Sequence, residues 1–153
     1  MTKGIAKIGI VGAGQMGSGI AHVCALAGYQ VLLNDIGAER IKSGLATING
    51  NMARQVAAGK ISEAERRAAL NRIVSATQYD GLAGADLVIE AAVENEPVKR
   101  EIFTHVCRVL RPDALLASNT SSISITRLAA ATDRPERFIG IHFMNPVPVM
   151  ELV

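Results

Sequence analysis

The run Ile8-Gly-Ile-Val-Gly12-Ala-Gly14-Gln-Met-Gly17 constrains this chain more than any other, because an apolar strand there enters a glycine-rich turn and then an amphipathic helix. A loop that merely turns needs no such spacing. Gly12 permits a tight turn off the strand, Gly14 lets backbone approach a pyrophosphate, and Gly17 allows close helix packing. The unpaired N–H groups and positive dipole end of the helix then form an anion site made by backbone. Gly12, Ala13, Gly14, Gln15, Met16 and Gly17 are together the expected phosphate-binding loop of a dinucleotide site.

Context supports that reading. The motif follows a strand-like run from Ile5 to Val11, opens a helix ending near Gly28, and precedes a second strand, Val31-Leu-Leu-Asn-Asp35. Asp35 lies 18 residues after Gly17, where a carboxylate accepts hydrogen bonds from an adenosine ribose and repels a 2′-phosphate. The expected cofactor is therefore NAD and not NADP.

A chain of 153 residues is one ordinary domain that buries a core without disulfides or metals. Residues 49% hydrophobic but only 3% aromatic describe strands of Ala, Val, Ile and Leu covered on both faces. A net charge of +2, with acidic and basic residues interleaved, argues against nucleic acid or a membrane surface as partner. Cys24 and Cys107 show no metal-ligand spacing and read as reduced thiols within helices, so no metal is expected. The opening Met-Thr-Lys-Gly-Ile-Ala-Lys has no apolar export core, and no apolar run reaches the roughly 18 residues of a membrane span, which points to the cytoplasm.

After the second strand, Ile41, Leu45, Ile48, Met52 and Val56 recur at helical spacing and outlast a simple crossover. Ala57-Ala-Gly59-Lys60 breaks that helix, and Ser62-Glu-Ala-Glu65 fits a capping box opening another that runs to about Asn71. The resulting helical hairpin has two readings: a protruding element with solvated charges at Arg54, Lys60, Arg66 and Arg67, or a basic edge for an anionic substrate such as a coenzyme A ester. Further strands are expected at Ile73–Thr77, Leu87–Ala92, Ala114–Ser118 and Phe138–Ile141, separated by a helix from Pro97 to about Leu110 and a short helix through Ile125, Leu128 and Ala129. The alternation predicts an α/β Rossmann-type doubly wound parallel sheet of order 3-2-1-4-5-6, with the hairpin inserted after strand two. Residues 1–153 form one dinucleotide-binding domain in this reading. The stretch from His142 to Val153 is extended and proline-rich.

Ligands of such sheets bind outside the carboxyl ends of the strands, and polar residues gather at those ends: Asp35, Glu94-Asn95, Asn119-Thr-Ser121-Ser122, and His142 with Asn145. Helix capping and turn formation account equally well for several of them. His22 and His105 fall within helices and read as packed or surface imidazoles. His142 follows strand six and, histidine being the side chain that ordinarily changes charge near neutrality, is the candidate base for a hydroxyl proton removed together with a hydride.

The segments Val11-Gly-Ala-Gly-Gln-Met-Gly17, Ile89-Glu-Ala-Ala-Val-Glu-Asn95, Ser118-Asn-Thr-Ser-Ser122 and Gly140-Ile-His-Phe-Met-Asn-Pro-Val-Pro148 resemble the NAD-binding domain of the L-3-hydroxyacyl-CoA dehydrogenase family, nearest its bacterial branch acting on 3-hydroxybutyryl-CoA. The resemblance covers the whole chain. It implies reversible hydride transfer between NAD and the 3-hydroxy/3-oxo carbon of a short acyl-CoA, in fatty acid or butanoate metabolism. It also implies that Asp35 binds the ribose, that Ala91, Glu94 and Lys99 lie along the cofactor or at its nicotinamide end, and that Ser121 and Asn145 hold the substrate oxygen or the nicotinamide amide. His142 would be the catalytic base, and Arg54 or Lys60 would touch the coenzyme A tail. In the family a glutamate follows this Glu-Leu-Val run and pairs with the histidine, and a helical second domain completes the cleft and forms a homodimer. An isolated NAD-binding module without turnover, or a structural protein reusing the fold, are the competing readings.

Overall fold

The computed structural model describes residues 4–153; Met1, Thr2 and Lys3, where the N-terminal reading begins, lie outside the described residues. Six strands, β1 (Lys7–Val11), β2 (Gln30–Asn34), β3 (Ile73–Ala76), β4 (Leu87–Glu90), β5 (Leu115–Ser118) and β6 (Phe138–Gly140), form one sheet of order β3-β2-β1-β4-β5-β6. Every pairing is parallel. This is the doubly wound topology expected from the strand–helix alternation, with the order reversing between β1 and β4.

Strand alternation divides the core. Ile8, Ile10, Val31, Leu33, Leu87 and Ile89 face the layer containing α1 (Gln15–Leu26), α2 (Ala38–Ala57) and α3 (Glu63–Asn71). Val11, Val88 and Leu116 face α4 (Glu96–Val109) and α5 (Ile125–Ala130). The inserted hairpin does not stand away from the body as a protruding element would. Ile41, Ile48 and Met52 of α2 and Ala69 of α3 are buried in one cluster with Ile20, Ala21, Cys24 and Ala25 of α1. Small residues make α1 thin enough to be covered on two sides: a side chain at Gly44 of α2 would meet Ser18 Oγ at 2.5 Å and the Ala13 carbonyl at 2.9 Å. Ser62 and Glu65 form the expected capping box at the start of α3.

Several elements are shorter than the apolar pattern suggests. At the start of β1, the N–H groups of Ala6 and Lys7 are taken at 2.9 Å by the Asp86 side chain. β4 stops at Glu90, because the Ala92 N–H turns back to Glu90 Oε2 at 2.7 Å. A 3₁₀ turn at Tyr79–Leu82, unmarked by periodicity, seats the fully buried Leu82 over Gly9, where a Cβ would lie 2.9 Å from the leucine.

Residues 141–153 contain no helix or strand. Val147, 5% exposed, anchors this segment across α1 at Gly19, where a Cβ would lie 2.9 Å from the valine Cβ. The crossing carries His142 and Asn145 over the same end of the sheet as the glycine turn.

Candidate cofactor and catalytic site

The turn between β1 and α1 is built by steric exclusion. Gly12 has φ +108°, and a Cβ there would lie 2.7 Å from the Ala91 carbonyl oxygen. A Cβ on Gly17 would fall 1.7 Å from the Gly12 carbonyl oxygen, so the helix start touches the turn itself. Gly14 has no neighbour within 4 Å of its missing Cβ. Its face is open to a ligand.

The start of α1 is also electrostatically open. Ser62, Asn95 and Ser124 cap α3, α4 and α5 with their own side chains. Gly14 caps α1 with none, and the first turn of α1 carries no acidic residue. The early N–H groups and the positive dipole end are left for an anion, as a pyrophosphate requires.

This turn forms one wall of a cleft of about 710 Å³ bordered by Gly12, Gly14, Gln15, Met16, Asp35 and Ala91 among the sequence-derived candidates. Ile36, Arg40, Tyr79, Val93, Val98, Glu101 and His105 complete it on the β2 and α4 sides. The Tyr79 and His105 rings stack with centroids 5.3 Å apart and planes 5° from parallel, forming a flat wall. His105 therefore borders the cleft, which its helical position alone does not reveal.

Ala13 is buried behind the loop and donates its N–H to Asp35 Oδ2 at 3.0 Å. Asp35 Oδ1 accepts from Gly37 N–H at 2.8 Å and from Arg40 Nε–H at 3.0 Å. Burial alone would raise the Asp35 pKa, but these donors outweigh it and hold the carboxyl below the usual range. A charged acceptor thus stands on the cleft wall at the end of β2. The open glycine turn, the uncapped helix and this carboxylate fit a dinucleotide: Gly12–Gly17 for the phosphates and Asp35 for the ribose.

The other strand ends are knitted together. Glu90, 0% exposed, sits opposite Ser118 in the β4–β5 register and accepts its hydroxyl at 2.7 Å. Glu90 Oε2 also takes Lys99 Nζ at 2.6 Å. Lys99 is 2% exposed and does not border the cleft; its second carboxylate, Glu94 Oε1, is 3.6 Å away. The resemblance sets Lys99 along the cofactor or at its nicotinamide end; in the structure it stands behind the β4–α4 loop, beside two glutamates. Glu94 is half-exposed, likewise does not border the cleft, and accepts from Thr120 Oγ1 at 2.5 Å. Burial raises its pKa, but the Thr120 hydroxyl, the Lys99 charge and the Ser121 N–H together bring it below the usual value.

His142 is half-buried, with Nδ1 3.0 Å from the Asn119 carbonyl oxygen. A carbonyl only accepts, so Nδ1 carries the proton and Nε2 is the free basic nitrogen. Asn119 is held on both sides: its N–H donates to the Glu90 carbonyl at 2.9 Å, and its Oδ1 accepts Phe143 N–H at 2.8 Å. Ser121 and Asn145 are exposed on the loops after β5 and β6. Ser121, His142 and Asn145 lie beyond the 710 Å³ cleft, which stops at Ala91, Ala92 and Val93 on that side. Arg54 and Lys60 border a separate hollow of about 310 Å³ with Asn51, Gln55, Pro146, Pro148 and Val149, between the end of α2 and the terminal segment.

Glu90 and Arg40 escape sequence reasoning as site residues, and Asn119 stands among the strand-end polar residues without its contact to His142 being foreseen. Glu90 leaves a trace as the charge inside the apolar run Leu87–Ala92, and Asn119 lies within the distinctive Ser118–Ser122 stretch.

Known proteins bear on this geometry. The 3-hydroxyacyl-CoA dehydrogenase, NAD binding domain family matches residues 7–153. A 3-hydroxybutyryl-CoA dehydrogenase of Bradyrhizobium diazoefficiens is 67% identical over 153 residues, which are 100% of this chain and 52% of the relative. One from Mycobacterium tuberculosis is 50% identical, over 100% of this chain and 54% of the relative. The crystal structure of (S)-3-hydroxybutyryl-CoA dehydrogenase from Ralstonia eutropha superposes with a TM-score of 0.94 at 48% identity, covering 96% of this chain and 52% of that one. The chain spans about half the length of the curated relatives it matches. Whole-chain identity, a shared strand order and a glycine turn shaped for a pyrophosphate lead to one conclusion: this chain belongs to the 3-hydroxyacyl-CoA dehydrogenase family, of which it carries the NAD-binding domain.

Proposed function

We propose that the domain is the cofactor half of an NAD-dependent 3-hydroxyacyl-CoA dehydrogenase whose substrate is a short acyl-CoA such as 3-hydroxybutyryl-CoA. The observation that carries this reading is the 3.0 Å contact of His142 Nδ1 with the Asn119 carbonyl, which calls for the hydrogen on Nδ1 and leaves Nε2 to act as the base. The Gly12–Gly17 turn would hold NAD, which would supply the acceptor for the hydride leaving C3 of the substrate. His142 Nε2 takes the proton of the C3 hydroxyl, so that C3–O becomes the carbonyl, and returns it in the opposite direction. Ser121 and Asn145 supply hydrogen-bonding groups for the substrate oxygen. The hollow beside Arg54 and Lys60 offers two cations to the phosphates of the coenzyme A tail.

Turnover of acetoacetyl-CoA with NADH tests the reading. A His142→Ala change is expected to lower turnover by about 10²–10⁴-fold, the usual contribution of a positioned acid–base group, with NADH affinity unchanged. Equal turnover in the variant would remove His142 from the chemistry. NADH binding with no turnover by the unaltered protein would leave a binding module. Among the described residues no helix is long and apolar enough to cross a membrane.

A further inference from the structure

Asp35 is expected to receive the two adjacent hydroxyls of an adenosine ribose, yet its acceptor positions are unequally free. Oδ1 already accepts twice, from Gly37 N–H and Arg40 Nε–H, while Oδ2 accepts once, from Ala13 N–H. Each carboxylate oxygen offers about two lone-pair sites, so one is open and two hydroxyls need two. The donors differ in their freedom. Ala13 and Gly37 are backbone and fixed, whereas the Arg40 side chain is 61% exposed against 9% for Asp35. Arg40 is the donor that can yield. Gly37 makes room for it: a Cβ there would lie 3.2 Å from Arg40 Nε.

Arg40 also borders the dinucleotide cleft. A guanidinium beside the ribose acceptor is the group that accommodates a 2′-phosphate in sites of this fold, and it pairs with phosphate more readily than with a sugar hydroxyl. We infer that Arg40 is a specificity-determining residue: it supplies a latent 2′-phosphate contact that Asp35 overrides, and so sets how strictly the domain prefers NADH to NADPH. This rests on Asp35 binding the ribose. With its charge intact, Asp35 repels the phosphate and engages Arg40 itself. Once that charge is gone, Arg40 is released to the phosphate.

The test is NADH and NADPH binding by titration calorimetry to the protein and to Arg40→Ala, Asp35→Asn and the double variant, with circular dichroism as the fold control. Arg40→Ala is expected to widen the preference for NADH over NADPH by about tenfold, equivalent to about 1.4 kcal/mol. Asp35→Asn should weaken NADH and strengthen NADPH, and the double variant should lose that NADPH gain. Raising the salt concentration should erode the NADPH affinity of Asp35→Asn more than its NADH affinity. If Asp35→Asn leaves NADH binding unchanged, the ribose assignment falls and the inference with it. If Asp35→Asn weakens NADH but Arg40→Ala leaves the NADH/NADPH ratio where it was, the ribose assignment stands and the role of Arg40 is overturned. Arg40→Ala alone decides the point should Asp35→Asn fail to fold.

Discussion

The two strands that flank β1 each end in a carboxylate, and they use it in opposite ways. Asp35, just past β2, is gripped by backbone N–H groups and faces the cleft. Glu90, at the end of β4, is fully buried and spent on Lys99, Ser118 and the Ala92 N–H. The first presents charge to the cleft. The second consumes its charge inside the scaffold, where it ties together β4, β5 and α4 and, through its own carbonyl and Asn119, the segment bearing His142. A negative residue at a strand end is therefore not a ligand group by position alone; what separates the two is that Asp35 borders the cleft with a counter-ion, Arg40, that is 61% exposed, whereas Glu90 and its counter-ion Lys99 are sealed from it.

The sharpest way to break that contrast is Glu90→Ala. Removing one member of a buried ion pair strands the other, so unfolding stability should fall by about 3–5 kcal/mol in urea titrations. Replacing Glu90 and Lys99 together with Leu and Met should recover most of that loss. A Glu90→Ala protein as stable as the parent would make the pair expendable. Asp35→Ala should behave in the reverse manner, lowering NADH affinity by about tenfold to a hundredfold, the scale of hydrogen bonds to a charged group, with a smaller effect on stability. Loss of stability without loss of affinity would move Asp35 into the scaffold class beside Glu90.

A third change probes the link between scaffold and chemistry. Asn119→Ala removes the acceptor of Phe143 N–H and should cost about 1 kcal/mol in stability. It should also blur the His142 tautomer in nitrogen NMR of the imidazole, a signature that a packing defect alone does not move. An unaltered tautomer would show that the carbonyl contact suffices without the side chain.

The smallest expected effect lies away from both carboxylates. His22 is 1% exposed, is hydrogen-bonded to Gln55 Oε1 at 2.8 Å, and leaves Nδ1 without a partner. Burial lowers its pKa from the ordinary 6.5 despite the Gln55 contact. A lowered folded-state pKa means that the unfolded chain binds the proton first. Its stabilising contribution is complete above pH 6.5 and is lost as the pH falls from there through the folded-state value. Melting temperatures should decline gently on acidification below neutrality, and His22→Leu should flatten that decline. An equal decline in the variant would assign it to other groups.

The sheet order and the cofactor loop were legible because both rest on local, periodic features: a strand, a turn that admits only glycine at Gly12, and a carboxylate at a known spacing. The hairpin helices were legible too, but not what they cover. Their apolar stripe needs the second face of α1, and that face exists because Gly17, Ser18, Gly19 and Ala21 are small. The role of Glu90 was hidden because Lys99 reaches it across a loop and the first turn of a helix. The partner of His142 Nδ1 is a backbone carbonyl, which no side-chain identity announces.

The crossing of Val147 over Gly19 has a consequence for the order in which the molecule is made. α1 emerges from the ribosome long before the segment that packs on it. Residues 7–35 carry the phosphate turn and Asp35, and all of them are made before the stretch that follows β6. The stretch bearing His142 is held to the first helix by Val147 only once that later segment has been made. A nascent chain would thus hold the groups proposed for the cofactor phosphates and ribose before the proposed base exists.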